Sequence, residues 1–190
     1  RVIIVVYLAV FLPLIIYFKN KNKLPYWTPT FYIIGIVVCA LGWEIWFTYG
    51  WIDGDSVDIR RSEALNTWLP KNANWLMNSM GDAGTVLLGG VWLMWISHRK
   101  DTIVFKKWKW SAFGVLLFWC IGQNILVEMF LYHDQLADGK PLSWAPLSPL
   151  GPYFNPILFE FNDRTIMLQS QMPWIILPWF FYLTLINFNK

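Results

Sequence analysis

The chain has 190 residues, of which 56% are hydrophobic and only 14% charged, with a net charge of +3 and a mean hydropathy of +0.41. A soluble domain carries about 25% charged residues. This composition therefore excludes an ordinary water-soluble globular domain and a nucleic-acid binder, and predicts an all-α integral membrane protein in one polytopic domain, 1–190.

Aromatic side chains make up 19% of the sequence, 14 of them Trp. Tryptophan favours the membrane–water boundary, where both its ring and its N–H are satisfied. Many crossings with an aromatic outer layer account for that number.

A helix crosses the hydrocarbon in about 17–25 apolar residues. The first such run is 2–18. It has no small-residue cleavage site and leads directly into Lys19, Lys21 and Lys23, so it reads as a retained span. Pro13 inside it predicts a kink. The second span is 31–51, containing Cys39 and Glu44. An external segment, 52–74, follows. Asp53-Gly54-Asp55 reads as a solvated turn, since the spacing of a calcium loop is absent. Val57, Ala64, Leu65, Trp68 and Leu69 fall on one helical face, with Arg61, Ser62, Glu63 and Asn66 on the rest. That pattern predicts one short amphipathic helix in the headgroup layer, capped by Asp55 or Ser56.

The third span is 75–97, and the basic stretch from Arg99 to Lys109 separates it from the fourth, 111–132. A second external segment, 133–171, contains Pro141, Pro146, Pro149, Pro152 and Pro156, too many for a helix. Two apolar runs flank Asn162-Asp163 near its end. Both residues tolerate positive φ, so a β-hairpin pairing Glu160 with Thr165 and Phe161 with Arg164 is predicted. The fifth span is 172–188, with Pro178 inside it.

Lysine and arginine favour the cytoplasmic side of a membrane. Five spans put the Lys19–Lys23 loop, the Arg99–Lys109 loop and Lys190 on one side. The N-terminus is then outside a plasma (bacterial inner) membrane, the C-terminus is cytoplasmic, and both long segments are external. Cys39 and Cys120 lie within spans, where a thiol acts as a small hydrophobe, so no disulfide is expected.

Three acids interrupt the spans: Glu44, Asp82 and Glu128. Charge inside hydrocarbon is costly, so such residues turn inward and find partners. Counted at the helical rise, all three lie roughly 6–11 Å below the outer boundary. Polar neighbours share their faces, with Thr48 beside Glu44, Asn78 and Thr85 beside Asp82, and Asn124 and Tyr132 beside Glu128. Trp43, Trp46 and Phe47 supply an aromatic wall, with His133 above and Trp144 in the loop that would roof the site.

Two accounts fit these residues. As interhelical glue, the acids only tie helices together. As a site, they form a catalytic set in an apolar pocket, where burial disfavours the ionised carboxylate and lets the group hold and deliver protons. The second account predicts an outer-leaflet pocket for a hydrophobic lipid or isoprenoid-like ligand, with acid/base chemistry of the isomerase, cyclase or hydratase type. Trp43, Trp46, Phe47, Asn78, Thr85, Asn124, Tyr132, His133 and Trp144 would bind that ligand.

A non-catalytic ligand-binding protein, or an accessory subunit of a homo-oligomer or larger membrane complex, remains the alternative. A transporter is the third reading, weakened because the cytoplasmic halves of the spans carry almost no ionisable residues. Glu44, Asp82, Glu128 and His133 could offer oxygen and nitrogen to a divalent ion, but no metal is expected. Only two histidines exist, on opposite sides of the membrane, which excludes bis-histidine haem and histidine-rich iron or copper centres. The sequence identifies no cofactor.

Overall fold

The computed structural model describes residues 1–49, 56–139, 153–154, 156–162 and 164–189. The 53–55 turn, most of the proline-rich loop, Trp144 and Asp163 lie outside the described residues, as do the side chains of Trp46, Tyr132 and His133.

Each of the five apolar runs is helical over its described residues. Helix α1 spans Val2–Asn20. Lys19 sits in its last turn, where a cation complements the helix dipole, and the Asn20 amide closes that turn on the Ile16 carbonyl at 2.8 Å. The second run differs from the expected continuous span. It begins at α2, Thr28–Leu41, breaks at Gly42 (φ −83°, ψ −108°), and resumes as α3, Trp43–Tyr49. The break re-aims the chain immediately before Trp43 and Glu44.

The expected single amphipathic helix is two short ones, α4 (Val57–Arg60) and α5 (Glu63–Trp68). The cause is Arg61. It was expected on the polar face, yet it is buried and extended, bridging to Leu136. Its guanidinium donates to the carbonyls of Leu65 at 3.0 Å and Leu69 at 2.7 Å, closing the end of α5. Burial pushes that guanidinium down to about 10, so it is still charged at neutral pH. Trp68 and Ala64 face outward, while Val57, Leu65 and Leu69 face inward.

The third run is α6 (Lys71–Ala83), a π-helical segment (Gly84–Gly89) and α7 (Gly90–Ser97). The fourth is α8, Trp110–Phe130. Strands β1 (Ile157–Phe161) and β2 (Arg164–Met167) pair antiparallel in the expected register, Glu160 opposite Thr165 and Phe161 opposite Arg164. Asn162 takes φ +47° at the turn. Helix α9, Leu168–Phe188, starts directly after β2 and so absorbs Ser170 and Gln171, which the sequence pattern had left in the loop.

Three helical stretches among the described residues are long and apolar enough to cross a membrane: Val2–Asn20, Thr28–Tyr49 and Trp110–Phe130. Helix α1 packs on α6 and the π segment, α2 on α6, α7 on α8, and α8 on α9. The largest core lies among α7, α8 and α9, around Met94, Leu116, Cys120, Tyr182 and Leu185. Cys39 and Cys120 are buried free thiols.

The basic segments gather at one end. Asn189 accepts from the Trp27 indole at 2.7 Å and donates to the Phe105 carbonyl at 3.1 Å, while the Tyr182 hydroxyl donates to the Val104 carbonyl at 2.8 Å. At the other end, Val2 packs on Leu65 and Leu69. There Asp134 accepts from Arg1 Nε at 3.0 Å and from Arg164 Nη2 at 2.8 Å. The Arg1 hydrogen bond, helped by both positive charges, holds the Asp134 carboxyl below the usual aspartate range.

Candidate ligand-binding site

A cavity of about 610 Å³ lies between α1, the α6–α7 helix and α8, with α3 and the start of α9 reaching into it. Ligand pockets typically measure about 300–1,000 Å³. Its α1 wall runs from Val2 to Ile16, which at the helical rise is about 20 Å. The opposite walls include Leu93 and Leu131.

Small residues make the approach of α1 possible. A Cβ on Gly81 would stand 3.2 Å from Ala9 Cβ, and one on Gly84 would stand 3.3 Å from the Ala9 carbonyl oxygen. Asp82 therefore lies at the level of Ala9, halfway along the α1 wall.

Glu44 and Asp82 both line this cavity. The Trp43 indole donates to Asp82 Oδ2 at 2.6 Å, and its ring stands edge-on to Trp174 at 5.6 Å. Glu44 is only 6% exposed, and its Oε2 has no hydrogen-bond partner among the described residues. Trp43, Phe47, Asn78, Thr85 and Asn124 are also in the wall. Thr85 sits in the π segment, and its carbonyl accepts from the Trp119 indole at 2.8 Å. Among the described residues, no Lys, Arg or His lines the cavity.

Glu128 is placed differently. It is buried but absent from the cavity wall. Gln171 Nε2 donates to its Oε2 at 2.6 Å, and Asn124 Nδ2 donates to Gln171 Oε1 at 2.9 Å and the Ser170 carbonyl at 3.1 Å. This network ties α8 to α9, as the glue account of a buried acid expects. The side chains of Trp46, Tyr132 and His133, and all of Trp144, fall outside the described residues.

Sequence reasoning missed Gln171, Ser170, Trp119, Gln123 and Trp174. Gln171 had one signal, an amide at the border of an apolar run, three residues before Trp174. Trp119 had none, because its partner is a main-chain carbonyl. Among the described residues, no group of three His, Cys, Asp or Glu side chains assembles into a metal set.

No family model, no curated protein and no solved structure matches this chain.

Proposed function

We propose that this is an integral membrane protein whose cavity holds a lipid-soluble, isoprenoid-like ligand, and that Glu44 and Asp82 act on it as a proton-donating and proton-accepting pair. The observation that carries this reading is Glu44 Oε2, a buried acid oxygen without a partner in the wall of a largely apolar cavity. Buried polar groups are normally hydrogen-bonded, and an orphan marks where another molecule belongs. Asp82, already engaged by Trp43, suits the ionised partner, because a hydrogen bond to the charged form favours it. Four indoles in the wall (Trp43, Trp92, Trp119 and Trp174) suit a cationic intermediate formed when an alkene or epoxide takes up a proton.

In this reading the five helical runs are spans, with the basic end in the cytoplasm and the acids in the outer half of the membrane of a bacterial cell. Glu128 is assigned to helix packing and not to the reaction.

The test starts with lipid extraction and mass spectrometry of protein purified from its membrane. The ligand found is then offered to the wild type, Glu44→Gln and Asp82→Asn. An amide keeps the shape but delivers no proton, so turnover should fall by roughly 10²–10⁴-fold. A ligand retained unchanged, with no product in any variant, would favour a non-catalytic binding protein. A cavity that never co-purifies with any molecule would leave the accessory-subunit role.

A further inference from the structure

Resting on the reading of the cavity as a lipid-phase ligand site, we propose that it recognises an elongated apolar molecule with a positively charged nitrogen near its middle, and that this molecule enters sideways between α1 and α8.

Charge comes first. Among the described residues, two carboxyl groups face the cavity and no basic side chain lines it. Buried charge is stable only when it is paired. One proton shared by the two acids still leaves a negative charge that no cation among the described lining residues offsets, the Trp43 indole being a neutral donor. Glu44 Oε2 also lacks a donor. An ammonium group supplies both the charge and the hydrogen bond. The surrounding indoles add attraction to a cation through their ring faces.

Shape comes second. Asp82 stands level with Ala9, and the α1 wall continues about 10 Å in each direction, to Val2 and to Ile16. The arm towards Ile16 is apolar and the arm towards Val2 is mostly so, with Asn78 and Gln135 as its polar lining, so the charged centre belongs between two largely hydrocarbon arms and not at one end.

Access comes third. Leu8 and Leu126 line the cavity and are 54% and 56% exposed. Lining side chains this exposed mark the edge of an opening. Helix α1 packs on α6 and the π segment, and α8 packs on α7 and α9, which leaves the space between α1 and α8 as that opening. The upper end is tied by Arg1, Asp134 and Arg164. An apolar ligand dissolved in a bilayer meets the side opening directly.

The probes are dioctylamine, dioctyl ether and heptadecane. They have nearly the same length, and octyl arms match the two halves of the cavity. Affinities are read from the melting temperature of the purified full chain in detergent at neutral pH, as each probe is titrated. The amine should bind at least about tenfold tighter than the ether or the alkane, the size of one hydrogen bond to a charged group. Glu44→Leu should remove that preference. The comparison of probes on the wild type stands even where this variant does not fold.

Equal binding of all three probes overturns the cation proposal and leaves the ligand site intact. No binding of any probe overturns the ligand site itself. For the route, Leu8→Cys and Leu126→Cys are combined and bridged with a reversible bifunctional thiosulfonate, the native thiols being buried. Uptake of the amine should slow at least about tenfold, a rise of about 1.4 kcal/mol in the entry barrier, and recover on reduction. Uptake that is unchanged by the bridge overturns the lateral route.

Discussion

At the scale of single residues, the Trp43–Asp82 pair organises the site. One indole N–H, 2.6 Å from a carboxyl oxygen, joins α3 to α6 across a helix break. Trp43→Phe keeps most of the ring packing against Trp174 but removes the donor. A buried hydrogen bond to a charged group contributes about 1.5–3 kcal/mol, so the variant should melt at a clearly lower temperature. Trp68→Phe serves as the comparison, since Trp68 is 69% exposed and should change stability by less than about 0.5 kcal/mol. Equal melting temperatures in the two variants would remove the pair from the account of the site. The sequence marked both Trp43 and Asp82, but for separate reasons. Their bond was illegible because it depends on the turn at Gly42, which redirects α3.

Among the elements, the hairpin was the most legible. Its register follows from the turn pair, since a residue that tolerates positive φ fixes which side chains face each other. Asn162 adopts φ +47° there. Asn162→Val places a branched side chain in the left-handed region, which should cost about 1–2 kcal/mol and lower the melting temperature. Asn162→Gly should be neutral or stabilising, and a valine variant as stable as the wild type would contradict the turn geometry.

The outer helices were less legible. A helical pattern cannot reveal that Arg61 turns inward to close α5, because that depends on carbonyls exposed only once the helix has ended. The π segment was hidden as well, since its wider turn leaves no distinct period in six residues. The start of α9 was hidden because Ser170 and Gln171 look like loop residues until Glu128 and Asn124 claim them.

For the whole molecule, charge partition carried most of the information. Lys23, Lys106 and Asn189 meet around one small cleft, so the basic loops assigned to one side do converge. The direction in which the bundle sits remains part of the proposed function, and accessibility decides it. Cysteines introduced at Asn66 and Asp138 should react with a membrane-impermeant maleimide in intact cells. Reaction only after the cytoplasmic face is opened would reverse the orientation.

Counting along the helices gives the three acids a common depth. Depth does not fix rotation about the helix axis, however. That second coordinate separates Glu44 and Asp82, which line the cavity, from Glu128, which meets α9.

Helix α1 leans on the bundle through one face, and 11% of its apolar stretch is buried within the protein. The cavity it encloses is thus a room with three protein walls and a fourth built by whatever surrounds the molecule. In a bilayer that wall is made of acyl chains. Under the proposed function, their packing would press on Leu8 and Leu12 from outside while the ligand pressed from within, and the tightness of the surrounding lipid would become a term in the ligand's affinity. Extraction into detergent exchanges that wall for a softer one.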